Sequence, residues 1–369
     1  MNILVIGNGF DLAHGLPTTY RDFIKYVNCF SKYYLPAAYN KKYPEGEGDF
    51  EDDIQNLPLQ FKNEFKELIK ENRWLNFFLE LKNGEKWIDF ESEISKVIQA
   101  LDRVRECRDK QRKENPSNGK LEINAWDSIF LRKIGVERTI EVAEIERLKD
   151  KLIGDLKRLT RCLEIYLDKY VGEKKIELRI PEIHGKDFQC VLSFNYTDTY
   201  EKLYGEKKNS EIEIKYDYIH GKVNSNGSLE TCNLVLGIDE YLDEDKKRND
   251  NEYIQFKKFY QRIVKKTGCK YIDWIEDAKK SVLECEEKEK QNKVYIFGHS
   301  LDVTDGDIIA SLINMPNTQT IIYHHNQEAF EKQVCNLVKI LGENELIAKV
   351  YGHNASIIFE KQKDPKIMS

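Results

Sequence analysis

Apolar positions along this chain recur with two spacings. Short β-branched runs bounded by turn residues are the first: Asn2-Ile3-Leu4-Val5-Ile6 stops at Gly7, the signature of a buried strand running into a turn. Similar runs occur at Phe188 to Phe194, Ile212 to Ile219, Leu234 to Leu236, Val294 to Phe297, Thr320 to Tyr323 and Ala355 to Phe359. The stretches Asp307 to Leu312 and Gln327 to Leu341 between the last of them are compatible with helices. The second spacing is helical. Phe61 to Lys70 and Ile140 to Leu163 mix Leu and Ile with Lys and Glu as an amphipathic helix does, so these blocks predict helices with solvated charged faces. Strands alternating with helices predict an α/β fold, a mostly parallel sheet flanked by helices. The core is expected over 1–35, 186–240 and 292–360, with a large helical insertion at 36–185 and a second at 241–291.

The charged fraction of 33% exceeds the usual quarter and belongs on exposed helix faces. A net charge of -6 offers no long-range attraction to nucleic acid or an anionic membrane, so neither partner is indicated. The 8 cysteines include no C-x-x-C pair, which predicts free thiols in a reducing compartment rather than a zinc ribbon or disulfide framework. Met1 to Phe10 is apolar but lacks a basic leader and meets Asp11 too soon for a signal peptide. No apolar stretch approaches the ~18 residues of a membrane span. A cytoplasmic location is the expectation.

Unusual residues follow the strands: Gly7-Asn8-Gly9, Asn195-Tyr196-Thr197-Asp198, His220-Gly221, Gly237-Ile238-Asp239 and Gly298-His299-Ser300. In a parallel sheet the strand ends share one edge, where ligands bind. This requires the strand before His220 to be parallel to its neighbour; a hairpin would remove it. Gly7-Asn8-Gly9-Phe10-Asp11-Leu12 resembles a dinucleotide-binding turn with Leu12 at the third glycine, and a plain tight turn would read the same. Thr18 is a candidate N-cap for a helix from Tyr20. His220 is the candidate acid-base residue, because imidazole exchanges a proton near neutral pH, although a structural histidine has the same spacing. Asn195 offers a donor and an acceptor to a sugar hydroxyl or water; capping the segment after it is equally compatible. Asp239, Asp302, Asp305 and Asp307 are hard-oxygen groups, which caps and turns also explain. Trp87 and Glu91 lie one helical turn apart, in reach of the cleft or merely on an amphipathic face.

The motifs I-G-N-G-F-D-L-A-H-G-L-P-T-T-Y (Ile6 to Tyr20), S-F-N-Y-T-D-T (Ser193 to Thr199), I-H-G (Ile219 to Gly221), L-G-I-D (Leu236 to Asp239) and F-G-H-S-L (Phe297 to Leu301) resemble, in this order, the bacteriophage abortive infection AbiH family. The resemblance implies a role in bacterial defence, in which an infected cell stops growing before progeny are released. The order of a G-x-G turn, G-[IL]-P, a strand-end asparagine, His-Gly and a late G-x-S is also similar, more distantly, to the sirtuin-like (SIR2-like) NAD-binding fold. That likeness implies a Rossmann-like sheet with Gly7, Asn8, Gly9 and Pro17 around the pyrophosphate and ribose of NAD. Asn195 would lie at the nicotinamide ribose or a water, with His220 catalytic and Gly298 and Ser300 toward the adenosine. Phe10, Thr18, Gly237, Asp239 and His299 join the expected nucleotide-binding set. Asp11 stands where that fold has a serine, and Asp198 is displaced one position by Thr197. The four-cysteine zinc module of true sirtuins is missing, which leaves NAD hydrolysis without a metal as the implied chemistry. A non-catalytic nucleotide sensor and a metal-dependent phosphohydrolase or nuclease built on Asp11, Asp239 and Asp302 remain alternatives. A phage-derived trigger and a homo-oligomer are expected partners.

Overall fold

The computed structural model describes residues 1–35, 50–81, 89–114, 120–136, 139–205, 213–239, 241, 251–284 and 291–367. The chain divides into two compact units, one of Met1–Thr18, Glu173–Val223 and Lys266–Ser369, the other of Thr19–Gly172 and Asn224–Lys265. Those cuts fall at 18, 172, 223 and 265, where sequence patterning drew them at 35, 185, 240 and 291.

The first unit is built on a six-stranded sheet whose strands we label β1 (Asn2–Ile6), β2 (Cys190–Ser193), β3 (Lys215–Tyr218), β4 (Asn292–Phe297), β5 (Thr318–His324) and β6 (Ile357–Lys361). Every neighbouring pair is parallel and the order is β3-β2-β1-β4-β5-β6, the Rossmann arrangement. The pairing of β3 with β2 is therefore not a hairpin. Ile3, Leu4, Val5 and Ile6 are all buried, so both faces of β1 are covered and the run is apolar throughout rather than alternating. One face packs Ile3, Val5, Leu192, Phe194 and Ile296 with Leu301 and Ile308. The other packs Leu4, Ile6, Phe10, Val191, Tyr200 and Phe297. Helices Tyr271–Glu284, Gly306–Ile313 and Gln327–Leu341 lie in the segments between β3 and β6.

The second unit is mainly helical. Its helices include Tyr20–Tyr34, Leu59–Ile69, Arg73–Glu80, Phe90–Glu114 and Val142–Tyr166. Phe23, Tyr26, Phe65, Trp74, Phe90 and Tyr166 form its aromatic interior. Thr19, not Thr18, caps the helix from Tyr20: its hydroxyl accepts the Asp22 N–H at 3.1 Å and the Asp22 carboxylate returns to the Thr19 N–H at 3.2 Å, a closed capping box.

Leu234 to Leu236 is not a strand, contrary to its apolar pattern. A glutamine takes over the ladder: the Gln261 Oε1 accepts the Leu236 N–H at 3.2 Å, its Nε2 donates to the Leu236 carbonyl at 3.0 Å, and Lys265 donates to the Leu234 carbonyl. Short buried runs need their backbone groups satisfied, and side chains do it here. Trp87 lies outside the described residues. Glu91 in this unit accepts from the Lys258 ammonium at 2.6 Å, a buried ion pair.

Candidate functional site

Register fixes which residues meet at the sheet edge. Ile6 pairs with Ser193 and with Phe297, and Ser193 pairs with Tyr218. Two residues beyond those partners stand His220, Asn195, Asn8 and His299, in that order across β3, β2, β1 and β4. All four are at the carboxyl ends of parallel strands, and Asn8 and His299 flank the point where strand order reverses. Four residues singled out by spacing are thus neighbours by construction.

The two glycines of the first turn serve a purpose different from the one their spacing suggested. The Gly7 N–H donates to the Phe297 carbonyl at 3.1 Å and the Gly9 N–H to the Gly298 carbonyl at 2.8 Å. A Cβ on Gly7 would sit 2.8 Å from the Gly298 carbonyl oxygen, and one on Gly9 would sit 2.7 Å from the Gly298 Cα. The β1 turn and the β4 turn are packed backbone on backbone, and their amides are already paired with protein. Gly298, at φ +69°, completes that contact. These two amides are therefore not available to hold a pyrophosphate. Phe10 is likewise committed: it is fully buried, with its ring centroid 4.5 Å from His14 and 6.1 Å from Phe297.

Asn8 points elsewhere. The Thr18 hydroxyl donates to its Oδ1 at 2.7 Å, which fixes the amide orientation and turns the NH2 group away as a donor. Asp11 is 1% exposed; its Oδ2 accepts from the Thr197 hydroxyl at 2.6 Å, while its Oδ1 has no hydrogen-bond partner. Burial is the main reason its carboxyl is pushed up to about 6, close to neutrality. Asn195 is 5% exposed with its Nδ2 likewise unpartnered, while its backbone N–H donates to the Ser193 hydroxyl at 3.1 Å. It caps nothing.

Around β3 and β4 two imidazoles flank one carboxylate. The His220 Nε2 lies 3.3 Å from the Asp305 Oδ1, off the line of a hydrogen bond, and the His299 Nε2 lies 3.7 Å from the Asp305 Oδ2. The Phe194 ring packs against both imidazoles, its centroid 4.3 Å from that of His299 and 5.6 Å from that of His220. The Leu301 N–H donates to the His299 Nδ1 at 3.0 Å. That nitrogen therefore has no proton, and the neutral ring carries it on Nε2, facing Asp305. An Nε2 that is protonated has no lone pair for a cation. Among the described residues no three His, Cys, Asp or Glu side chains are placed to hold a metal ion. Asp302 is a cap, accepting the Thr304 N–H at 3.2 Å.

Supporting contacts reach this loop from the helix Gln327–Leu341. The Gln333 Nε2 donates to the His299 carbonyl at 3.1 Å and the Asn336 Nδ2 to the Ser300 carbonyl at 3.1 Å; Ser300 itself is exposed. Neither amide stands out in sequence, where both sit inside an ordinary amphipathic helix. His14 was also silent. Its Nδ1 lies 2.7 Å from the Phe10 carbonyl and its Nε2 2.9 Å from the Tyr204 hydroxyl, which in turn accepts the Ile180 N–H. Burial lowers its pKa to about 4, so it is a neutral structural link.

The remaining expected residues are not members of the register row. Asp198 pairs with Lys202 at 2.9 Å, one turn along. Pro17 is half-buried beside Thr18. Gly237 and Asp239 belong to the second unit, where Ile238 bridges Lys257 and a Cβ on Gly237 would fall on the Phe256 carbonyl oxygen. The glycine of L-G-I-D is explained by that packing. All seven described cysteines are free, and no described helix is long and apolar enough to cross a membrane.

No match to the chain was found among curated proteins. The family model described as bacteriophage abortive infection AbiH matches residues 3–325, a stretch that runs from the second residue of β1 through β5 and contains all four residues of the row. The chain belongs to the bacteriophage abortive infection AbiH family.

Proposed function

We propose that this abortive infection protein acts on NAD, cleaving the bond between nicotinamide and ribose so that the infected cell runs out of the cofactor and stops growing. The observation that supports this reading most is the pair of buried polar atoms left without partners beside His220 at one sheet edge: Asn195 Nδ2 and Asp11 Oδ1. Orphaned buried donors and acceptors are costly, about 1–3 kcal/mol each, and are retained where a ligand or water completes them. With His220 they lie beyond the carboxyl ends of β1, β2 and β3, on one side of the strand-order reversal of a Rossmann-ordered sheet, the edge at which nucleotides bind.

In the reaction, water adds to C1′ of the ribose and nicotinamide departs with the electron pair of the glycosidic bond, giving ADP-ribose, nicotinamide and a proton. His220 takes that proton from the water or from a ribose hydroxyl. Asn195 holds the same water or hydroxyl, and the oriented Asn8 amide donates to the ribose or phosphate. Gly7, Gly9 and Gly298 act beforehand, by locking the two turns that carry Asn8 and His299. Such an activity must stay silent until a phage-derived trigger arrives, so the test includes infected cells.

The test is nicotinamide release from NAD by the purified chain beside His220→Ala and Asn195→Ala, with NAD binding measured calorimetrically on the same samples. Release that both variants lose, by roughly 10²-fold or more, is expected. Binding without release, in purified protein and in infected cells alike, makes the chain a nucleotide sensor; neither binding nor release overturns the NAD reading.

A further inference from the structure

Asp305 has no counterpart among the motifs that suggested NAD chemistry, yet it is the one carboxylate between the two strand-end histidines. It sits at the close of the short helical turn Val303–Asp305, with its N–H donating to the Asp302 carbonyl at 3.2 Å, and it begins the helix Gly306–Ile313. Its side chain is 11% exposed and the two facing imidazoles are 8% and 6% exposed. Each of its oxygens addresses one ring.

We infer that Asp305 is a positioning residue for His220. The inference rests on His220 being the base of the proposed reaction. His299, pinned by the Leu301 N–H, faces Oδ2 with a protonated Nε2 at 3.7 Å, a favourable electrostatic contact for the carboxylate. Oδ1 is then aimed at the His220 Nε2 and favours the tautomer with its proton there, which leaves the Nδ1 lone pair to take the substrate's proton. When His220 gains that proton, the carboxylate balances the new positive charge in a largely buried site.

The test pairs imidazole ¹⁵N NMR of the full chain with NAD turnover, in wild type, Asp305→Asn and Asp305→Glu. In wild type both rings show the Nε2–H form. In Asp305→Asn the His220 signal moves toward the Nδ1–H form while His299, held by the backbone, does not; the second ring reports that the fold is intact. Turnover of NAD falls roughly 10²-fold with little change in KM, and Asp305→Glu restores part of it. An unchanged His220 signal in Asp305→Asn overturns the inference. If the wild-type chain proves not to cleave NAD, the NMR comparison still decides between these outcomes, separately from the proposed reaction.

Discussion

At the residue scale, two ionisable groups three residues apart, Asp11 and His14, make opposite demands on pH. Asp11 is held protonated up to about 6, so its contribution to stability is present at low pH and is lost as pH rises from about 3.8 to about 6. His14 is held neutral down to about 4, so its contribution is full above about 6.5 and is lost as pH falls toward 4. Between pH 4 and 6 the two slopes oppose each other, each worth on the order of 3 kcal/mol across its range. Urea denaturation of Asp11→Asn should therefore show stability climbing with pH over this window, and His14→Gln should show it falling; parallel behaviour of the two variants would contradict the burial argument. Gly298 gives a second prediction. Gly185→Ala, at φ +83° with open space around it, should cost about 1–2 kcal/mol for the left-handed backbone alone. Gly298→Ala adds a Cβ 2.5 Å from the Gly9 carbonyl carbon, so its loss in urea midpoint should be clearly larger. Both glycines of the first turn were visible in sequence as places where no side chain fits. What fills the space, ligand or neighbouring backbone, is not a property of the glycine.

At the element scale, strands were legible and their ends less so. β1 and β4 were outlined by apolar runs ending at Gly7 and Gly298, because a strand buried on both faces leaves no polar position until it stops. Leu234 to Leu236 carries the same signature and is irregular, since Gln261, 25 positions on, supplies its hydrogen bonds. Gln261→Leu should leave buried backbone groups at Leu236 unpaired and cost about 1–3 kcal/mol in thermal or urea unfolding. The helix Val142–Tyr166 offers a sharper case. Arg161 donates to Glu164 at 2.6 Å and to Glu64 at 2.8 Å, and Glu164 is fully buried. Arg161→Met strands that carboxylate and should cost about 3–5 kcal/mol, whereas adding Glu164→Met should recover most of the loss. If the double variant is no more stable than the single one, desolvation of Glu164 is not what Arg161 offsets.

At the scale of the whole molecule, β1 finds one partner, β2, across 187 positions and the other, β4, across 291. Such pairings form slowly, because the chain must close long loops before they reward it. A chain ended at Lys265 retains every segment of the helical unit but lacks β4 to β6. In hydrogen exchange its β1 amides should lose protection while those of the helix Val142–Tyr166 keep it; joint loss would show that the units do not fold separately.

The amino-acid sequence by itself determined the α/β class, the strands that form the sheet with Leu234 to Leu236 as the exception, and the strand-end positions of Asn8, Asn195, His220 and His299, since apolar periodicity and strand-end chemistry are local properties of the chain. Only the tertiary structure decided that these four share one register row, that Gly7 and Gly9 meet Gly298 rather than open space, that Gly237 and Asp239 belong to another unit, and that Asp305 stands between two imidazoles. Those facts depend on which distant strands pair and in which register, and a pairing across hundreds of residues leaves no periodic trace in either partner.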